Sequence, residues 1–216
     1  MHPETPYQNR IDPAGNICVH PARGEFMGNR GGVLHDAEQH IVRHQKSRAW
    51  LICVTAFKGR RRKLMQPNSY TELFFLDEVT ALAAGHRPCF ECRRQDALAF
   101  ADALGQSRNE KRLSAPMIDA LLAQDRKRKP DAPERRIARN ALSSLPDGAM
   151  IRQADTHYGL RGGRLLPWSF DGYGTPLNTD ALSDGSIYLV TPPPTVEALM
   201  HGYRSAFHSH AWNPAT

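Results

Sequence analysis

The segment AGHRPCFECRRQDA, residues 84–97, contains two of the four cysteines in this chain of 216 residues. Cys89 and Cys92 are separated by two residues, and the apolar spacing that follows them predicts a helix beginning near Cys92. A tight Cys-x-x-Cys turn can direct both sulfurs to one side, and a helix start favours negative charge there. The pair therefore predicts a zinc knuckle in which both side chains bind as thiolates.

A structural zinc site needs four ligands, so two more must come from elsewhere in the chain. Cys53 and Cys18 are the remaining cysteines, and we expect them to complete the set. His20 or His35 could replace one of them, because imidazole also binds zinc. Cys53 lies in the apolar run WLICVTAF (50–57), so a zinc ion there would join a strand to the helix that follows the knuckle.

Other interpretations of the cysteines remain open. A helix start lowers the pKa of a thiol, so Cys89 and Cys92 could form a thioredoxin-like redox pair, although no clear βαβ pattern surrounds them. The sequence Pro-Cys-x-x-Cys is also half of the zinc deaminase signature, and the other half is matched only by residues 2–4, HPE. Cys18 and Cys53 could each be an ordinary buried residue, which is the common fate of free cysteines.

The pattern of apolar residues predicts an α+β fold. The runs WLICVTAF (50–57) and YTELFFL (70–76) indicate two antiparallel strands joined by a basic connection. Asp77 stands at the N-cap position of a short helix, and Gly85 follows where that helix must end. Helices dominate the middle third, and the turn signals after Leu145 indicate a small antiparallel β unit followed by a terminal helix.

The length allows one compact domain or two small ones. Changes in the pattern divide the chain into an α+β region with the zinc knuckle (1–105), a basic helical region (106–145) and a small β unit with a terminal helix (146–216). All three regions could belong to one compact domain.

The segment FFLDEVTALAAGHRPCFECRR resembles the second half of the Ada-type metal-binding domain, the zinc module of methylphosphotriester DNA repair and regulatory proteins. In that family an apolar strand ending in Phe-Phe precedes a short Ala-rich helix, then Gly, an aromatic residue and Arg-Pro-Cys-x-x-Cys. The matching residues here are Phe74, Phe75, Ala83, Ala84, Gly85, Arg87, Pro88, Cys89 and Cys92, whereas His86 replaces the aromatic residue.

This resemblance covers roughly residues 70–95. It implies zinc at Cys89 and Cys92. The family normally has two further cysteines close together, one of which accepts the methyl group, and this chain lacks such a pair. The resemblance therefore does not extend to methyl transfer.

Basic residues are concentrated in two blocks. The chain has 28 Lys and Arg against 22 Asp and Glu, a formal net charge of +6. The first block consists of Arg60, Arg61, Arg62 and Lys63. The second is RKRK at 126–129, followed by Arg135, Arg136 and Arg139. Either block alone fits a solvated face, but two blocks favour contact with a polyanion such as nucleic acid.

Arg30 lies in the glycine-rich turn GNRGG (28–32), which could form an anion-binding nest of backbone amides. We therefore predict that the chain contacts nucleic acid, DNA in the first place, through Arg30 and the block 60–63. Such binding weakens steeply with salt, because counterions released from the phosphates supply much of its free energy.

The segment HDAEQHIVRH (35–44) supports an alternative from another class. Its histidines and acids could bind a catalytic metal, which would make the protein a metal-dependent nuclease or another hydrolase with the zinc as scaffold. The glutamate of the H-E-x-x-H motif is absent, which favours a solvated polar turn. A third possibility is an interaction protein that zinc merely stabilises.

No apolar run approaches the roughly 20 residues of a transmembrane helix, and the first residues lack the pattern of a signal peptide. We therefore expect a cytoplasmic protein with no membrane partner, in which reducing conditions keep the thiols free. The pattern favours no particular oligomeric state.

Overall fold

The structure is a computed structural model that describes residues 6–59 and 63–214. The fold is mixed α+β, which confirms the fold class expected from the sequence. Within the described residues, twelve strands form two six-stranded sheets, accompanied by four α-helices and three short 3-10 helices.

The first sheet is built from the first ninety residues. Its strands are β1 (Gln8–Ile11), β2 (Ile17–Val19), β3 (Phe26–Asn29), β4 (Leu51–Val54), β5 (Leu73–Phe75) and β6 (Arg87–Pro88). They lie in the order β2-β1-β5-β3-β4-β6, antiparallel except for the pairs β1–β5 and β4–β6. The expected strands at 50–57 and 70–76 are both present, but the prediction that they pair antiparallel is wrong: β3 lies between them, antiparallel to each, so β4 and β5 run in the same direction. Three of the six strands lie before residue 30; β1 and β3 pair with the distant β5, whereas β2 pairs with β1.

The two faces of the first sheet have different surroundings, because successive side chains of a strand point to opposite sides. Ile52, Leu73 and Phe75 face the hydrophobic core beneath the helices. The opposite face carries a row of directly paired residues in which Phe74 lies beside Met27 and Met27 lies beside Cys53. This second face forms the floor of a cleft described below.

The helices cover the core side. They are α1 (Glu78–Ala83), α2 (Arg94–Gln106), α3 (Ala115–Asp125) and α4 (Pro193–Met200). Asp77 caps α1, since its Oδ1 accepts a hydrogen bond from the Thr80 amide at 2.8 Å, and Gly85 follows with φ +81°. Both local predictions are confirmed, whereas the end of the basic region 106–145, expected to be helical, forms two 3-10 helices and a short strand at residues 133–144.

The second sheet confirms the antiparallel β unit expected after Leu145. Its strands are β7 (Arg136–Ile137), β8 (Met150–Gln153), β9 (Thr156–Arg161), β10 (Arg164–Ser169), β11 (Gly172–Tyr173) and β12 (Ile187–Leu189), in the order β11-β10-β9-β8-β12-β7. The strand β7 comes from the segment expected to be helical, and α4 packs on the first core through Ala198 and Leu199. None of the helices in the described ranges has the length and apolar character needed to cross a membrane.

The helix α1 lies where the two sheets meet. Val79 and Ala83 pack against Met150 of β8. The Trp168 indole donates a hydrogen bond to Thr80 Oγ1 at 3.0 Å, and another bond joins the Tyr173 hydroxyl to Asp77 Oδ2 at 2.9 Å. The residues that follow Phe75 in the chain therefore hold the two sheets together.

Candidate metal centre

Three of the four cysteines converge on one point. Cys53 lies on β4, and Cys89 directly follows β6, where its amide donates to the Ile52 carbonyl at 3.0 Å. Cys92 lies in the turn before α2. The three sulfurs all lie within 4.8 Å of one another, close enough to hold a metal ion. The pairing of β4 with β6 thus brings the distant Cys53 to the Cys-x-x-Cys turn.

The backbone around the sulfurs favours negative charge. The Glu91 amide donates to Cys89 Sγ at 3.4 Å, the Cys92 amide also donates to Cys89, and the Val54 amide donates to Cys92. A hydrogen bond from the Cys53 thiol, followed by these amides, lowers the pKa of Cys89 to about 5, although burial opposes the shift. The surroundings of Cys89 therefore favour its ionised form.

The other two sulfurs need a cation before they can ionise as well. The pKa of Cys53 is raised by its hydrogen bond to Cys89, by burial and by the charges of its two cysteine neighbours. The pKa of Cys92 is raised by burial above all. Like charges this close cannot coexist without compensation, which a divalent metal supplies. The donor set of three cysteine sulfurs therefore fits a thiophilic ion such as Zn²⁺.

Cys18 does not belong to this group. It lies on β2, where its Sγ is 3.8 Å from the Asn16 carbonyl. Cys18 and Cys53 share one row of the sheet, but four strand spacings of roughly 4.8 Å, about 19 Å in all, separate them. The expectation that Cys18 completes the ligand set is therefore corrected: order along the chain did not reveal that β1, β5 and β3 lie between the two cysteines.

The candidate histidine ligands also lie elsewhere. His20 stacks on Phe170 with ring centroids 4.7 Å apart. His35 is buried, and its two ring nitrogens contact Thr71 Oγ1 at 2.6 Å and the Gln66 carbonyl at 3.3 Å. Both rings are thus engaged away from the three sulfurs.

The segment 35–44, the basis of the nuclease alternative, is a polar turn. Asp36 Oδ1 accepts the His40 amide at 2.8 Å, and an isolated bridge pairs His35 with Ile41. No cluster of three metal-ligating atoms occurs within this fully described segment. Residues 2–4, considered for deaminase chemistry, lie outside the described ranges.

The basic residues predicted to bind nucleic acid differ in their exposure to solvent. Lys63 is exposed, whereas Arg60, Arg61 and Arg62 lie outside the described residues. Arg30 is buried: its guanidinium lies 3.7 Å from the Trp50 ring centroid and donates to His86 Nε2 at 3.2 Å. Burial, followed by the charge of Arg126, lowers the pKa of Arg30 to about 9. The prediction that Arg30 contacts phosphate on the surface is corrected, because the side chain is enclosed by the protein.

The second basic block also makes contacts within the fold. Arg126 donates to the carbonyls of Gly85 and Arg48, both at 2.7 Å. Arg135 and Arg128 form ion pairs with Asp125. Arg139 donates to the carbonyls of Thr179, Leu182 and Ser183. Each of these arginines therefore has partners within the protein.

A cleft of about 580 Å³ opens beside the three cysteines. It is lined by residues that include Met27, Leu51, Phe57, Leu64, Phe74 and Glu72. Glu72 is buried; its Oε2 accepts the Met65 amide at 2.9 Å, and its Oε1 has no hydrogen-bond partner among the described residues. From strand spacings, the Cα of Glu72 lies about 12 Å from that of Cys53.

Sequence reasoning missed Glu72, although a signal was present. In TELFF (71–75) the alternation places Leu73 and Phe75 toward the core and Glu72 beside Phe74 on the other face. Among the described residues, the site thus offers three sulfurs, no fourth metal-ligating side chain within the same distance, and a cleft with a buried carboxyl group. Comparisons with models of protein families, with curated proteins and with solved structures found no match for this chain.

Proposed function

We propose that the chain is a zinc protein in which Cys53, Cys89 and Cys92 hold the ion and the fourth coordination position faces the cleft. The observation that carries this proposal is the convergence of three sulfurs within 4.8 Å at the wall of the cleft. Structural zinc sites are closed by four protein ligands, whereas sites that bind ligands keep one position open. Zinc bound in this way supplies a Lewis acid to a ligand in the open position.

The walls of the cleft indicate what kind of ligand it takes. Met27, Leu51 and Phe74 supply an apolar floor, and the unpaired oxygen of Glu72 can accept a hydrogen bond. A small molecule that fits has an apolar body, a hydrogen-bond donor near Glu72 and a metal-ligating atom at the cysteine end. An apolar pocket with a few polar groups is the usual form of a small-molecule site.

The Ada-type resemblance gives independent support for zinc at Cys89 and Cys92, because it rests on the sequence around them. Cys53 then occupies the place of one of the family's two further cysteines in chain order. The four free cysteines also fit a reducing compartment, and we propose the cytoplasm.

Zinc content is the direct test. Protein purified without added metal or chelator is analysed by elemental mass spectrometry as wild type, Cys89→Ser and Cys18→Ser. Cys18 lies on the same sheet in the row that contains Cys53, so its variant controls for loss of a thiol in general. We expect about one zinc ion per chain in the wild type and in the Cys18 variant, with loss in the Cys89 variant. Equal loss in both variants, or no zinc in any, would refute the proposal.

Cobalt substitution tests whether the fourth position is open. Co²⁺ in place of zinc gives visible absorption bands that depend on the ligand set. Addition of a small competing ligand, such as a thiol or azide, should shift these bands if the fourth position exchanges with solvent. An unchanged spectrum at saturating ligand would show a closed structural site and would rule out the cleft as its ligand pocket.

A second candidate function is contact with DNA through the connection after β4. Lys58 and Lys63 are exposed on either side of 60–62, next to the cleft residues Phe57 and Leu64. We propose that this connection contacts phosphates, and the expected affinity falls with salt by a slope of about −0.9 per phosphate contact. A variant with glutamine at 60–63 should show a shallower slope, whereas Lys129→Gln, exposed in the second basic block, should not. A flat salt response of the wild type would exclude this function.

A further inference from the structure

A second cavity lies where the two sheets meet, independent of the cysteine cleft. We refer to it as the junction cavity; its volume is about 100 Å³, and its walls include Trp50, Asp125, Arg126, Arg135, Arg152 and His157. Trp50 precedes β4 of the first sheet, whereas Arg152 and His157 are directly paired residues of β8 and β9 in the second. Both sheets thus contribute polar side chains to one small space.

Several buried nitrogens of this wall have no partner. Trp50 Nε1, Arg126 Nε, Arg135 Nε and His157 Nε2 all lack a hydrogen bond within the described part of the chain. The first three are obligate donors, because indole and guanidinium nitrogens cannot accept. Native proteins rarely leave buried donors unpaired, so several at one cavity indicate a missing acceptor.

The charges of the cavity wall also favour a bound anion. Arg126, Arg128, Arg135 and Arg152 face a single carboxylate among the described lining residues, Asp125. Both oxygens of Asp125 are already bound, one by Arg128 at 3.0 Å and the other by Arg135 at 2.7 Å. Four cations against one acid leave an excess of three positive charges.

Two arginines also lie on opposite sides of the same indole. Arg30 and Arg126 lie 3.7 and 4.2 Å from the Trp50 ring centroid. Burial lowers the pKa of Arg126 to about 10, because the guanidinium is removed from water. Two further acids near this cluster are bound elsewhere: Asp12 accepts two hydrogen bonds from Asn16, and Asp119 accepts two from Arg87. The cluster therefore remains short of negative charge.

We propose that the junction cavity binds one phosphate group, which accepts hydrogen bonds from the free N–H groups of Trp50, Arg126 and Arg135. A volume of about 100 Å³ has room for a single tetrahedral oxyanion. Water could satisfy the donors but would leave the excess charge uncompensated. The phosphate can be the free ion or the terminal phosphate of an oligonucleotide, since both present the same oxygens.

Phosphate binding is measured by isothermal titration and thermal unfolding at constant ionic strength, with chloride as the reference anion. The central variant is Trp50→Phe, which keeps an aromatic ring between Arg30 and Arg126 but removes the N–H group. We expect one phosphate per wild-type chain, a raised Tm, and at least about tenfold weaker binding in the variant, because a hydrogen bond to a charged group is lost. Zinc content should be unchanged, because the cysteine cluster is separate.

A second variant keeps the proposal testable if Trp50→Phe does not fold. Arg128 is nearly half exposed, so Arg128→Gln removes a wall charge with little effect on packing, and Arg112→Gln is the control because Arg112 pairs with Asp102 on the surface. Weaker phosphate binding in Arg128→Gln, with unchanged binding in Arg112→Gln, would support the site. No phosphate binding by the wild type, or equal affinity in wild type, Trp50→Phe and Arg128→Gln, would overturn it.

A pair of oligonucleotides separates the two sources of the phosphate. One carries a 5′-phosphate and the other a 5′-hydroxyl on the same sequence. A preference for the phosphorylated form that disappears in Trp50→Phe would support a nucleic-acid end as the ligand. Competition by inorganic phosphate without any such preference would support the free ion.

Discussion

The sulfurs of Cys53 and Cys89 lie within 4.8 Å of each other, although Cys53 is on β4 and Cys89 directly follows β6. This proximity exists because β4 and β6 pair in parallel and align Ile52 with Pro88. The cysteine cluster is therefore a product of sheet topology as much as of the Cys-x-x-Cys turn. A metal ion bound there links β4 to the start of α2.

Removal of the metal should destabilise the fold. An ion that binds only the native state, at 1,000 times its Kd, adds about 4 kcal/mol to the free energy of unfolding. Urea unfolding with and without a chelator measures this difference. The Cys89→Ser variant should show no effect of chelator, and an unchanged wild-type midpoint after verified metal removal would contradict the prediction.

Asp77→Ala should be among the most destabilising single changes. The Asp77 carboxylate accepts hydrogen bonds from the Thr80 amide, the Tyr173 hydroxyl and the His208 amide. The variant removes a helix cap and leaves buried donors unpaired, at a cost of about 3–5 kcal/mol. Urea unfolding measures the loss. Because Asp77 joins both sheets, a loss below about 1 kcal/mol would contradict this role.

Stability should fall as the pH drops below about 6.5. Burial lowers the pKa of His86 well below 6.5, and burial likewise lowers the pKa of His157. A histidine that is neutral in the native state but protonated when unfolded contributes stability above its unfolded pKa, and this is lost toward lower pH. His86→Phe should reduce the slope of stability between pH 6.5 and 5 by as much as about 1.4 kcal/mol per pH unit. An unchanged slope would contradict the prediction.

Two substitutions of Glu72 should separate its hydrogen bond to the Met65 amide from a role in metal binding. Glu72→Gln keeps an oxygen for the Met65 amide, so we expect a stability and a zinc content close to the wild type. Glu72→Ala leaves that amide unpaired and should cost about 1–3 kcal/mol. Thermal unfolding and metal analysis compare the two variants. If Glu72→Gln lost zinc, the carboxyl group would belong to the metal site itself.

The Arg87–Asp119 ion pair should contribute far more to stability than a surface pair of similar geometry. Arg87 donates to both oxygens of Asp119, at 2.8 and 2.9 Å, and both side chains are largely buried. Arg87→Ala should cost about 3–5 kcal/mol because it leaves a carboxylate enclosed without its partner. Arg112→Ala, which breaks an exposed pair with Asp102, is the matched control and should cause a much smaller change. Equal losses in the two variants would contradict this difference.

Local features of the fold could be predicted from the sequence. The Asp77 cap and the Gly85 end of α1 depend on contacts within a few residues, so the local sequence predicts both. Cys89 and Cys92 were found for the same reason, since their turn is local. Cys53 was predicted as a metal ligand because it lies in the apolar run 50–57, which indicates a strand.

Features that depend on strand order could not be predicted. The insertion of β3 between β4 and β5 separates two strands that look like a hairpin, and the strands between Cys18 and Cys53 remove Cys18 from the site. Arg30 is in a glycine-rich turn typical of a surface loop, yet Trp50 and His86 enclose it. These arrangements arise from packing between distant segments, which leaves no periodic signal.

The contacts of Glu78 impose an order on folding during synthesis. This buried carboxylate at the start of α1 accepts a hydrogen bond from the Tyr203 hydroxyl, 125 positions later in the chain, and another from the Ala206 amide. Chains elongate at about 5–20 residues per second, so these partners are synthesised several seconds after α1. During that interval, Glu78 can form its ion pair with Arg93 but not its hydrogen bonds to residues 203 and 206. The native surroundings of α1 are therefore completed only after nearly the whole chain has been synthesised.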